Sequence, residues 1–234
     1  MPIDYKYKAT DRLSDLIADN FMLLMVMSRF GLSLGFGEKN VKEVCEAQGV
    51  DWPTFLAVAN FISNDQSSYY TDSELPPLSL VSLMQYLKNA HDFFLDFNLP
   101  RIRSKIIEAI DCSGSDKVAR LILNFFDELV KEVESHMTYE NTMVFSYVEK
   151  LLQGESNSKY NITKFACYHS MIEERLRELK NIIIKYYPER GDNNLLNDVL
   201  FDIFNCEQDL ASHRKVEDCL FVPAVMNRER SLKS

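Results

Sequence analysis

All four histidines of this 234-residue chain, His91, His136, His169 and His213, fall on separate segments with helical periodicity, and their spacing repeats. His91 to His136 spans 45 positions and His169 to His213 spans 44. Each second histidine opens a related pattern, His136-Met-Thr-Tyr-Glu140-Asn141 and His213-Arg-Lys-Val-Glu217-Asp218. A chain that spends every imidazole on such a plan reads as two related helical hairpins converging on one site. The composition agrees: 46% of residues are hydrophobic, only seven are Gly and seven Pro, and no stretch alternates apolar with polar residues. These features predict an all-α protein with enough apolar surface for a real core.

The expected organisation has two parts. Residues 1–74 read as a small helical N-terminal domain, with a helix over 13–29 capped by Thr10 or Ser14 and stopped at Gly31. The glycine cluster Gly31-Leu-Ser-Leu-Gly35-Phe36-Gly37 is a loop, followed by short helices over 41–48 and 53–62. The polar stretch 64–77, ending in Pro76-Pro77, is the best linker. Residues 75–234 then carry four long periodic segments. The first covers 79–97 and is stopped near Pro100, with 101–110 extending it or forming a separate turn. The others cover 116–152, 162–187 and 194–225, with Pro223 bending or ending the last. Four such helices with short connections predict an antiparallel four-helix bundle.

On a helix, residues i and i+4 share a face about 6 Å apart along the axis. His136/Glu140 and His213/Glu217 therefore each present an imidazole and a carboxylate to one side. One such pair arises easily by chance; two at equivalent places, with the other histidines on the remaining helices, form a metal-ligand pattern. Four imidazoles and two carboxylates suit two iron ions, or less well manganese, because anionic oxygen bridges offset the charge of two close cations. A single zinc ion on four histidines leaves both glutamates unexplained. Aromatic residues recur nearby (Phe93, Phe94, Tyr139, Phe145, Tyr147, Phe165, Phe221) and would limit water access. Glu173 reads as mostly solvated face, with support of His169 as the lesser role. Glu132 and Tyr168 are candidate supports, and Cys219 reads as buried filler.

Charge and cysteine usage exclude other classes. A formal net charge of −9 argues against nucleic acid, whose phosphates need a basic surface. The longest apolar run, residues 21–27, is too short for a bilayer, and no secretory leader is visible. Five scattered cysteines without a CxxC pair predict a reducing, cytoplasmic setting. Residues 41–62 have the rhythm of a helix-turn-helix around Gly49, but residues 52–62 carry no Arg or Lys to meet bases. No nucleophile–base arrangement or phosphate loop appears.

At this point the residues resemble a known group. His91, His136-x3-Glu140, His169 and His213-x3-Glu217, with Leu220-Phe221-Val222-Pro223 behind, look like the hemerythrin-like HHE family. The resemblance implies a four-helix bundle holding a non-haem di-iron centre, with His91, His136, Glu140, His169, His213 and Glu217 as metal ligands and both glutamates bridging. More narrowly, the chain resembles the iron–sulfur cluster repair proteins of the RIC (ScdA) type, through residues 13–20, Arg29-Phe-Gly-Leu, Gly37, Lys39 and residues 44–51. That group usually carries adjacent cysteines before a loop glycine, and Gly35-Phe36-Gly37 stands here instead. The resemblance implies repair of damaged iron–sulfur clusters under nitrosative or oxidative stress, with damaged iron–sulfur proteins as clients and a homodimer as a candidate assembly. A sensor or carrier of O2 or NO is the alternative, and a metal-free helical interaction module is a further one.

Overall fold

The computed structural model describes residues 6–64, 77–110, 117–155, 161–162, 171–187 and 193–232. Among these residues the protein is helical and contains no β-strand, so it is all-α as the sequence predicts. The expected segments over 64–77 and 162–170 fall largely outside the described residues. No described helix is long and apolar enough to cross a membrane.

Two compact units are present, one of Met1–Ala90, Tyr147–Ala166 and Lys215–Ser234, the other of His91–Ser146 and Cys167–Arg214. The first unit begins with α1 (Leu13–Asp19), α2 (Leu23–Arg29), α3 (Val41–Ala47) and α4 (Trp52–Ser63). The single helix expected over 13–29 is thus two. Asn20 breaks it by adopting an extended backbone. Its side chain accepts from the Met22 N–H (3.1 Å) and donates to Ser63 Oγ (2.8 Å). A short amide that offers the backbone a local alternative partner competes with helix continuation. The start of α1 also differs: Arg12 occupies the cap position, without a side-chain cap bond. Between α3 and α4 the chain reverses at Gly49, whose φ of +71° is one that other residues adopt only with strain. Asn40 and Glu43 form a reciprocal capping box for α3, and Asp51 caps α4.

These helices pack around Leu13, Leu23, Met27, Val44 and Phe55, all fully buried, and against the start of α5 (Leu80–Asp92). There the Phe30 ring meets Phe55 edge-on (5.5 Å) and Tyr86 at a tilt (5.0 Å). The same unit holds the ends of two further helices, α8 (Phe145–Leu152) and α11 (Val222–Ser231), joined where Tyr147 donates to Glu229 Oε1 at 2.6 Å.

The second unit is built from α6 (Leu99–Ala109), α7 (Lys117–Tyr139), α9 (Met171–Tyr186) and α10 (Asn193–Val216). Ion pairs link these four in a closed ring: Arg103–Asp127 between α6 and α7, Arg175–Glu132 between α7 and α9, Lys180–Glu207 and Arg214–Glu173 between α9 and α10, and Arg101–Asp202 with Lys105–Asp198 back to α6. Pairing 180 with 207 and 173 with 214 requires α9 and α10 to run antiparallel, and 101 with 202 and 105 with 198 requires the same of α6 and α10. Each exposed pair contributes only about 0–1 kcal/mol, so they report register more than they supply stability. Stability comes from the stripes between them. On α7 the buried residues Ala119, Ile122, Phe126, Leu129 and Val133 recur at alternating steps of three and four.

Three helices each contain one wide π turn; the one over 117–152 has the extent the sequence predicts, and the other two run on past Pro100 and Pro223. Phe93–Asn98 joins α5 to α6, Glu140–Val144 joins α7 to α8, and Glu217–Phe221 joins α10 to α11. The N–H groups of Leu99, Phe145 and Val222 reach back five residues, to Phe94, Glu140 and Glu217. This explains why Pro100 and Pro223 do not end their helices. Both stand two residues past the end of a wide turn and occupy the first turn of the restarted α-helix, where a missing N–H costs little.

Asn60 ties the chain before α1 to α4: its side chain accepts from the Tyr7 N–H (2.8 Å) and donates to the Tyr7 carbonyl (3.0 Å). Replacing it with alanine leaves both buried backbone groups unanswered, and urea unfolding should show a loss of about 1–3 kcal/mol. An unchanged midpoint would mean that water reaches these groups.

Candidate metal centre

The wide turns coincide with the residues that the sequence marks as ligands. Glu140 and Glu217 are each the first residue of one, and His91 stands two residues before the third. On α10 the buried stripe Val199, Ile203, Cys206 and Leu210 continues through His213, Glu217 and Leu220 at the same alternating steps. His213 and Glu217 thus occupy places where an ordinary bundle would carry leucine. Glu140 likewise follows Val133 and Met137 on the buried face of its helix.

The side chains meet closely. His91 Nε2 lies 3.0 Å from Glu140 Oε2 and 3.2 Å from His213 Nε2. Ligand atoms of His91, Glu140, His213 and Glu217 all lie within 4.8 Å of one another, and all four residues are buried. His136 reaches the group through Glu140, with its Nε2 2.9 Å from the second carboxylate oxygen, Oε1. Its side chain is 17% exposed, so it marks the wetter edge. His169 lies outside the described residues. Of the six candidate ligands, four therefore cluster, and a fifth adjoins them.

The donor set can be tested against a metal ion on its own chemistry. Taking two carboxylates out of water is costly unless positive charge accompanies them. Two imidazole nitrogens facing each other at 3.2 Å repel unless a proton or a cation lies between them. Imidazole nitrogen with carboxylate oxygen is the donor mixture that suits a divalent transition ion. The residues fit a metal site.

The lining is apolar on the imidazole side. Phe145 stacks on His91 with ring centres 5.6 Å apart, and Phe94 meets His213 edge-on at 5.9 Å. Both rings are fully buried and exclude water. Other aromatic candidates serve elsewhere. Tyr147 donates to Glu229, and burial followed by that bond pushes its phenol above the ordinary range. Tyr139 is partly exposed, Phe93 packs on Phe94 and Phe97, and Phe165 is outside the described residues. Glu132 pairs with Arg175 and Glu173 with Arg214, so each has an ionic role in the bundle. Cys219 is partly buried with its thiol pushed up by desolvation, as filler would be.

A family model described as "Hemerythrin HHE cation binding domain" matches residues 83–225. The chain belongs to the hemerythrin HHE family. All six candidate ligands lie within the matched span. The family's description as a cation-binding domain accords with a core stripe that carries His213 and Glu217. No curated protein and no solved structure matches the chain.

Sequence reasoning missed two features of the HHE site. The wide turns leave no composition signal, since each adds a single residue to a helix. Asn141, whose Oδ1 lies 2.9 Å from His91 Nδ1, was visible only as the residue after Glu140.

Linkage gives a direct check. A metal that binds only the folded protein stabilises it by about 2.7 kcal/mol at a hundredfold excess over Kd. Zinc or ferrous iron should raise the melting temperature of the wild type and leave Glu217→Ala nearly unmoved. Equal shifts in both proteins would place the metal elsewhere.

Proposed function

We propose that this site holds two iron ions and that the protein repairs damaged iron–sulfur clusters under nitrosative or oxidative stress, by giving up iron or by handling NO. The observation that carries the di-iron reading is the Glu140 carboxylate, whose two oxygens face different imidazoles, Oε2 toward His91 and Oε1 toward His136. A carboxylate used in this way supports one ion on each side. His91 and His213 would hold the inner ion and His136 with His169 the other, with Glu140 and Glu217 shared between the two. Bound iron would supply open positions for O2 or NO, while Phe94 and Phe145 keep bulk water away. Narrower membership in the RIC-type repair group rests on the resemblance of residues 13–51, with residues 1–74 as the part that docks a client or a second subunit in the cytoplasm.

One observation favours the second reading, a sensor or carrier of O2 or NO without repair activity. The loop that would carry the repair group's cysteine pair has Gly35 at φ +84° and Gly37 at φ +67°, and a cysteine at position 35 would be strained there. Cys45, the nearest thiol, is fully buried, and desolvation pushes it up to about 12. A thiol held protonated is a poor nucleophile. Repair by the first reading would therefore rely on the metal site and not on Cys45.

Purified wild type should carry about two irons per chain, the count of a di-iron bundle, and Glu140→Ala should lose most of them. A full load in the variant would remove the bridging role. Iron-loaded protein should then reactivate an aconitase whose cluster has been damaged by NO, and Cys45→Ala should do so equally well. Fast reversible O2 or NO binding in stopped flow, with no reactivation, would decide for the sensor.

A further inference from the structure

Glu140 and Asn141 are consecutive, yet they contact opposite nitrogens of one imidazole. Glu140 Oε2 is 3.0 Å from His91 Nε2, and Asn141 Oδ1 is 2.9 Å from His91 Nδ1. Neighbours on a regular α-helix point about 100° apart. Here both residues open the wide turn 140–144, and Phe145, at its end, stacks on the same ring. Thr142 reinforces the turn by donating from its hydroxyl to the Thr138 carbonyl at 2.7 Å.

The chemistry follows from which atom of Asn141 faces the ring. An amide oxygen only accepts, so His91 Nδ1 carries the hydrogen and Nε2 presents its lone pair to Glu140 and His213. The other tautomer would set two lone pairs against each other at Asn141 and place an N–H where a cation is to be held. We infer that Asn141 is a positioning residue which, by accepting from His91 Nδ1, fixes the His91 tautomer and ring orientation for metal binding. This inference rests on the metal reading of the site. It also breaks the symmetry of the two repeats, because the residue after Glu217 is Asp218, which is exposed.

Partners of this kind typically change metal affinity by about 10- to 100-fold. The test is a zinc titration against a competing chelator on wild type, Asn141→Leu and Asn141→Asp, with nitrogen-15 spectra of histidine-labelled wild type loaded with zinc. Asn141→Leu should weaken zinc by that factor, Asn141→Asp should keep wild-type affinity because a carboxylate also accepts, and His91 should resonate as the Nδ1–H tautomer. Loss in Asn141→Asp equal to that in Asn141→Leu would mean that Asn141 donates, which overturns the inference. So would unchanged affinity in Asn141→Leu, or an Nε2–H signal from His91. Should Asn141→Leu fail to fold by circular dichroism, the aspartate variant and the wild-type spectra decide alone. Wild type that takes up no zinc brings down the metal reading itself, and this inference with it.

Discussion

A carboxylate that no water reaches needs positive charge or strong donors within bonding distance, and Glu140 is such a group. Its two oxygens stand between His91 and His136, one imidazole on each, an arrangement that a bound cation would satisfy. Much else in this part of the molecule can be read as support for that placement. The core stripe of α7 yields one apolar position to it. Phe145 braces the His91 ring, and a second buried glutamate, Glu217, lies within the same small volume. An apolar residue at position 140 would serve packing better, and a buried carboxylate there is suited to holding a cation instead.

The wide turns are how a helical scaffold meets that need. A regular α-helix offers its core one residue every three or four, enough for packing but poor for gathering donors at one depth. An added residue at Glu140 and at Glu217 changes the phase of the helix at the first carboxylate of each repeat. Two of the three turns have a proline two residues past their end, in the first turn of the restarted helix. Local bonding and placement of donors are in this way one structural event.

How far the sequence foretold this varies by feature. The His-x3-Glu repeats were legible because i,i+4 spacing is a direct geometric statement about one helix face. The all-α class followed from few breakers and 3.6-residue periodicity, and α3 and α4 end within one residue of the expected 41–48 and 53–62. The break at Asn20 was not legible, since the seven apolar residues after it continue a helical pattern and only the contact with Ser63 explains the turn. Pro100 and Pro223 read as stops because a proline's compatibility depends on the bonding of the turn before it. Asn141 carries no spacing signal, and its meaning appears only with the orientation of a ring fifty residues away.

The one-residue character of the wide turns has a consequence for how such helices tolerate length changes. Removing one residue between 140 and 144 would restore ordinary i→i−4 bonding and leave everything beyond facing as it does. Forcing that bonding with every residue kept is the damaging change. Everything beyond would then be swung by roughly 100° about the axis. Phe145 would leave the His91 ring, and Tyr147 would turn away from Glu229 on α11. The wide turn acts as a phase absorber: it takes up the excess residue, so that the helix on either side keeps the facing it would have without it.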